Sequence, residues 1–481
     1  MKQFVFFIIL LTTSLCLAQH GTGLVFDDEA YEEIPSKPKN VAFFDDLADI
    51  SSASIKKYAP VVRSQGGYGT CTGWATAYYG RTIVEAKQLG LKDQEEINKI
   101  AFSPIFTYLN AATKENSYNC QKGASLDRAL RSLINDGSPY FEDYKDAQFC
   151  DDAIPENVFE KAKSNVIKEY NRVIVGSETK QEKIENVKRA IHNGNPVIIG
   201  FKVEKALHIA KGVYVPDNQL TGGGHAMCVV GFDDEKYGGA FEIINSWGTD
   251  WGNNGYIWVK YDDFVTYTRY ALEIIPKPKP VNEFKTLAGE LRIELKGGHA
   301  MEVVKGDATF KKSVLGWQDV VKEEEADEKT VGDYKTTASY PKETRYRMYA
   351  KVNQPSYVYV FAADSAGENG VLFPHQEGIS PYFDNTEAEL VIPGEKYFFR
   401  LNKDVDSDYT IVVFSLEKID SHKVKKQLDT LEGDMLDKLY VIFNDSLIPK
   451  ENIELSKDKM KFDATFKKGT TAMMVLDIKR S

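Results

Sequence analysis

The sequence predicts an α+β domain followed by a second, β-rich domain, and three observations carry that expectation. Helical patterns come first, over 71–89, around 125–135 and over 181–192. Strand patterns follow: PVIIGF, GHAMCVVGF, AFEIINSW and YIWVKY. That order suits helices segregated from an antiparallel sheet. Next, Pro276-Lys277-Pro278-Lys279-Pro280 interrupts the pattern, and alternating prolines favour an extended, semi-rigid spacer. Beyond the spacer stand LRIEL, YRMYAKV, SYVYVFAAD, GVLFPH, ELVIP, KYFFRL and DYTIVVFSL, short strands separated by turn formers, which predict a β-sandwich. HKVKKQLDTLEGDMLDKLYVIF reads as helix before a last strand, TAMMVLDI. A length of 481 residues also calls for more than one domain.

The elements can be taken in chain order. Residues 1–18, with one lysine, an apolar run and Ala18 before Gln19, are expected to be a cleaved signal peptide. The predicted location is therefore secreted or periplasmic. A lipid-modified Cys16 is the lesser alternative, because bulky Leu15 precedes it. No other apolar run approaches the ~18 residues of a spanning helix, so no membrane span is expected. Cleavage removes the charge of Lys2 and moves the formal net charge from −11 to −12. The acidity is spread along the chain, and no basic stripe offers itself to phosphates, which argues against a nucleic-acid partner. Residues 19–55, rich in acids and turn formers, read as a surface lead-in. The further boundaries are 56–275 for the first domain, 276–281 for the linker and 282–481 for the second domain.

The chemistry starts from RSQGGYGTCTGW. Cys71 opens a helix, where the dipole and unpaired N–H groups favour thiolate over thiol. The glycines before it, Gly69 among them, let backbone pass close to a ligand, and Gln65 can aim an amide donor at the same point. A buried or disulfide-bonded cysteine at an ordinary helix start is the competing reading. Of the seven histidines, His225 stands out: it follows Gly222-Gly223-Gly224 and opens the apolar strand AMCVVGF, at the rim of a sheet. Asn245, in IINSWGTDWGNNGYIWV, can hold an imidazole tautomer through its side-chain oxygen while Trp247 covers that bond from water.

QGGYGTC with its helix, GHAMCVVGF and NSWGTDWGNNGY, in that order, resemble the papain-like cysteine peptidases over roughly 56–275. The resemblance implies a two-lobed domain, one lobe helical and one of antiparallel β structure, acting on polypeptide substrates without metal or cofactor. It implies Cys71 as nucleophile, His225 as base and acid, Asn245 as orienting residue, and Gln65 with the Cys71 N–H as oxyanion hole. Gly123, in NCQKGAS, resembles the glycine that pairs with extended substrate. With Cys71 assigned to catalysis and Cys228 inside an apolar strand, Cys120 and Cys150 are left to pair as a disulfide. The spacings from Cys71, 154 residues to His225 and 174 to Asn245, exceed the ~130–150 associated with the arrangement, which loop insertions would explain. Departures at Tyr68, Thr72, Lys122 and Gly224 point to a bacterial branch.

The expected function is a secreted cysteine endopeptidase working through a thioester. An amidase or transpeptidase using the same acyl-enzyme is the alternative within enzymes, and an inactive peptide-binding homologue the alternative outside them. Residues 282–481 resemble a β-rich accessory domain of unknown function found on bacterial caspase-like and papain-like proteins. They are expected to bind protein or a cell-envelope ligand, or to stabilise the chain.

Overall fold

The computed structural model describes residues 20–37, 50–113, 120–145, 150, 153–277, 284–306 and 332–481, the last with short gaps at 367, 377, 396, 402–403 and 434. The expected signal peptide, Cys16 and residues 278–281 of the expected linker lie outside the described residues.

The chain enters through a strap, residues 20–37, that holds one short helix, α1 (Asp28–Glu33). Strand β1 (Ser52–Ser54) follows. Helix α2, residues 71–88, is continuous but widened to i→i+5 turns over Trp74–Arg81. It packs on α4 (Pro104–Ala111), which comes after α3 (Gln94–Lys99), and the two helices approach so closely that a side chain at Gly73 would overlap the Pro104 carbonyl. Helix α5 (Leu126–Asn135) is capped by Ser125, whose hydroxyl accepts from the Arg128 N–H at 3.2 Å. These helices, with α6 (Glu156–Ala162), make the helical lobe.

The sheet lobe consists of β2 (Ile167–Arg172), β3 (Val197–Glu204), β4 (Leu220–Asp233), β5 (Ala240–Ile244), β6 (Tyr256–Lys260) and β7 (Thr268–Pro276), with α7 (Lys180–His192) and α8 (Tyr261–Tyr267) alongside. Thr179 and Glu182 close a reciprocal capping box at the start of α7, a device worth about 1 kcal/mol. The strand order is β2-β7-β3-β4-β5-β6, with β1 added beside β4, and every pairing is antiparallel. Strand β3 and the part of β4 from His225 to Phe232 are buried almost throughout, which is why VIIG and AMCVVGF read as unbroken apolar runs.

The C-terminal region holds two further sheets. One contains β8 (Lys285–Leu295), β9 (Arg345–Val352) and β12 (Met460–Phe466); the other contains β10 (Ser356–Asp364), β11 (Ser407–Ser415) and β13 (Thr471–Lys479). Leu291, Met348 and Phe462 from the first meet Val358, Val412 and Met474 from the second, as a sandwich requires. The other face of β10 and β11, with Tyr359, Phe361 and Ile411, is covered by α9 (Ser421–Thr430) and α10 (Met435–Phe443). The helix expected there is thus two helices. Leu431 leaves helical geometry and Gly433 takes φ 110°, which ends the first and turns the chain.

One expectation is overturned outright. Residues 20–37 are not a surface lead-in: Leu24, Tyr31 and Ile34 are buried in the first domain's core. The acids and turn formers of the strap hid an apolar set, Leu24, Phe26, Tyr31 and Ile34, too irregular in spacing to suggest a period.

Candidate active site

Cys71 sits at the first turn of α2, facing the start of β4. Its sulfur accepts the Ala226 N–H at 3.4 Å. The preceding residue, His225, is fully buried, and its Nε2 lies 2.7 Å from Asn245 Oδ1. That oxygen also accepts the Ser246 N–H at 2.7 Å, which fixes the amide and so the ring. His225 Nδ1 has no partner among the described residues. Trp247 stacks on the imidazole with centroids 4.5 Å apart. Asn245 itself is held by its N–H on the Gly255 carbonyl, 3.0 Å, and by Tyr79 Oη donating to its own carbonyl, 3.1 Å. The fold therefore brings Cys71, His225, Asn245 and Trp247 together from one helix, one strand and the loop after β5.

Gln65 joins the group. Ser246 Oγ donates to its Oε1 at 2.5 Å, and its Nε2 donates to the Tyr68 carbonyl, 2.7 Å, and to the Gly21 carbonyl, 3.1 Å. Gly69 lies beside it, its N–H on the Cys120 carbonyl at 2.7 Å. Cys120 and Cys150 form a disulfide that ties down the segment carrying Gly123, and the Gly69 N–H bond holds that segment against the loop that leads to Cys71. Cys228 is buried in β4 without a disulfide.

The cleft between these elements is filled by the strap. Gly21 N–H donates to the Gly66 carbonyl at 3.1 Å, and the Gly21 carbonyl takes both the Gln65 amide and, at 3.0 Å, the Trp247 indole N–H. Ala124 N–H donates to the Gly23 carbonyl, 2.9 Å, and Val25 N–H to the Ala124 carbonyl, 3.0 Å, a parallel pairing. On the opposite wall Leu24 N–H donates to the Gly224 carbonyl at 3.0 Å. Close passage requires glycine on both sides. A side chain at Gly23 would overlap the Gly69 carbonyl, and one at Gly123 would overlap Gly23. Gly123 thus allows the approach expected of it, but the ladder partner is Ala124, one residue further on. Leu24 and Phe26 rest on a notch floored by Gly200 and Gly224, where added Cβ atoms would lie 2.8 and 2.7 Å from them.

Burial dominates the electrostatics of the pair. Burial pushes the Cys71 thiol up to about 11, outweighing the N–H groups of Ala226, Gly23, Thr72 and Cys71 that pull it down. Burial also drives His225 down to about 3, against the opposing hydrogen bond to Asn245. Desolvation therefore works against the thiolate expected from the helix start and outweighs what the helix terminus supplies.

Three contributors escaped the sequence reading. His208 stacks on Trp247 at 4.8 Å, and His20 stacks on the same indole at 5.0 Å. Ser246 orients Gln65. The serine was legible in principle, since it adjoins Asn245. Neither histidine carried a local signal, because each arrives by tertiary folding.

The model of the papain family cysteine proteases matches residues 54–271. An uncharacterized peptidase C1-like protein of Acanthamoeba polyphaga mimivirus is 30% identical over 236 residues, covering 47% of this chain and 71% of that protein. Cathepsin K of Mus musculus is 28% identical over 204 residues, 42% of this chain and 56% of its own length. Among solved structures, xylellain, a cysteine protease from Xylella fastidiosa, is 21% identical and covers 53% of this chain and 96% of its own, with a TM-score of 0.43. The chain belongs to the papain family of cysteine proteases, hydrolases that act on polypeptides. No helix among the described residues is long and apolar enough to cross a membrane.

Proposed function

We propose that this chain is an exported cysteine endopeptidase made in a self-blocked form. Cys71 is the nucleophile, His225 the base and acid, Asn245 its orienting partner, and Gln65 with the Cys71 N–H the oxyanion hole. The observation that carries this reading is the fixed imidazole: Nε2 is engaged by Asn245 and Nδ1 is left over, one residue from the amide that meets the Cys71 sulfur. With the strap out of the cleft, water and the helix start favour thiolate. The sulfur attacks a substrate carbonyl and the carbon–nitrogen bond breaks, with His225 protonating the departing amine. Water then attacks the thioester, giving its proton to His225 and releasing the acid.

The strap blocks both reacting sites without being cut. Its Gly21 carbonyl holds the Gln65 donor that an oxyanion would use. The Cys71 sulfur meets the Gly23 N–H, a contact in the amide plane, whereas attack needs approach to a carbonyl carbon from above that plane. Leu24 marks the notch beside Gly200 and Gly224 as a place for one bulky apolar substrate side chain.

The test uses the full chain with Gly23→Val, which cannot seat against the Gly69 carbonyl. Turnover of fluorogenic peptides should rise well above wild type and vanish when Cys71→Ala is added. A folded Gly23→Val protein that neither turns over peptide nor reacts with a vinyl-sulfone thiol probe would refute the assignment.

A further inference from the structure

The strap does not end at the cleft. Past α1 it continues as residues 35–37, and these lie between the two regions of the molecule. On one side the Arg172 N–H, from edge strand β2, donates to the Pro35 carbonyl at 2.7 Å. On the other, Ser36 N–H donates to the Gly378 carbonyl at 2.6 Å and Ser380 N–H to the Ser36 carbonyl at 2.7 Å. Ser36 is thus bridged in parallel to Arg172 and to Ile379 at once, so three backbone segments from distant parts of the sequence run side by side. The Ser36 hydroxyl adds a bond to Gly378 O, 3.0 Å.

One residue on, Lys37 Nζ reaches Glu273 of β7 at 2.7 Å and Asp384 of the C-terminal region at 2.9 Å. Asn195 donates to both of those carboxylates, at 3.3 and 3.2 Å. Glu273 is almost wholly buried, so Lys37 is the cation that allows two carboxylates to share this space. The C-terminal region reaches the peptidase by its own contacts as well: Lys418 pairs with Glu169 at 3.0 Å, and Ile275 packs among Tyr357, Tyr359 and Tyr382. The strap therefore has a grip that stands apart from the cleft and is supplied in part by the region with no assigned role.

We infer that the C-terminal β-rich region is the clasp of the zymogen: it holds residues 36–37 and thereby keeps residues 20–26 seated over Cys71. This rests on the peptidase reading above. The strap's occupancy of the cleft is an equilibrium, and every contact made only in the seated state shifts it toward occlusion. Ser36 and Lys37 make contacts of that kind, and half of their partners belong to the C-terminal region. Loosening the clasp, without touching the cleft, should then expose the thiol.

The experiment compares full-length wild type with Asp384→Ala, Lys37→Glu and Lys37→Arg, each checked for folding by its thermal midpoint. The readouts are the labelling rate of Cys71 by a vinyl-sulfone probe and the turnover of a fluorogenic peptide, with Gly23→Val as the fully opened reference. Asp384→Ala and Lys37→Glu should each label about fivefold faster or more, with a parallel rise in turnover, while Lys37→Arg stays near wild type. Wild-type rates in both Asp384→Ala and Lys37→Glu, beside rapid labelling of Gly23→Val, overturn the clasp and leave the peptidase intact. A Gly23→Val protein that is itself unreactive overturns the peptidase reading and the clasp with it.

Discussion

The first domain's sheet and the C-terminal sandwich bury similar apolar side chains but treat polar groups in opposite ways. Between the sandwich sheets lie Leu291, Met348, Leu390, Val412 and Phe414, and buried polar residues such as Ser356 and Ser415 are small and bonded to near neighbours. At the cleft end of the first sheet, by contrast, Gln65, His225, Asn245 and Ser246 are all buried, and His225 Nδ1 and Asn245 Nδ2 have no partner among the described residues. Leaving such atoms unmade costs about 1–3 kcal/mol each, so a region selected only for stability would replace them. The difference teaches that the cleft end of the first sheet gathers a cluster of buried amide, imidazole and hydroxyl groups around one thiol, which the interior between the sandwich sheets does not.

The largest effect that would break this contrast falls on the reacting groups. In the Gly23→Val background, Cys71→Ala and His225→Ala should each lower kcat/KM by about a thousandfold or more, because each removes a step and not merely its alignment. Retention of a tenth of the parent activity by either variant would move the chemistry elsewhere. Asn245→Ala should fall less far, at the lower end of the about 10²–10⁴ that general acid–base catalysis contributes, since a reacting atom is not lost. A loss equal to that of His225→Ala would show Asn245 doing more than orienting the ring.

The sandwich should answer differently. Leu390 is fully buried in its core, and Leu390→Ala should lower stability by about 2–5 kcal/mol, read from denaturant unfolding. Turnover per folded molecule, measured with Gly23→Val present, should stay unchanged. A drop in kcat for the folded fraction would mean that the sandwich shapes the cleft directly. The smallest expected effect belongs to the notch: Gly200→Ala should disfavour bulky apolar residues in substrates by about 1–3 kcal/mol or less, measured as a ratio of kcat/KM between leucine- and alanine-bearing peptides.

Much of the site was legible because its residues carry local signatures. Cys71 follows a glycine turn at a helix start, His225 opens a buried strand after three glycines, and Asn245 precedes a tryptophan and a turn. The strands of both regions could be read from their alternation or apolar continuity. What could not be read depends on contacts distant in sequence. The strap's four apolar residues form no period because they follow the irregular wall of a cleft and not one face of a helix or strand. Strand β2, IKEYNR, is mostly polar because it is an edge strand whose outer side meets Ser36 and, through Glu169, Lys418 of the C-terminal region. The burial of Cys71 could not be read for the same reason, since the Gly23 amide that meets its sulfur lies forty-eight residues away in sequence.

The central claim is that Cys71 is a nucleophile masked by the strap, and the rate of iodoacetamide alkylation at Cys71 against pH tests it most directly. With the strap seated, the thiol is pushed up to about 11 and His225 down to about 3, so between those limits both groups are neutral. Wild type should therefore alkylate slowly across the neutral range, its rate climbing only toward about pH 11. Gly23→Val should alkylate rapidly well below the ~8.5 of a free thiol, because water, the helix start and the freed imidazole then favour the thiolate. Coincident curves for the two proteins, or a Gly23→Val curve that climbs only above about pH 8, would contradict the account.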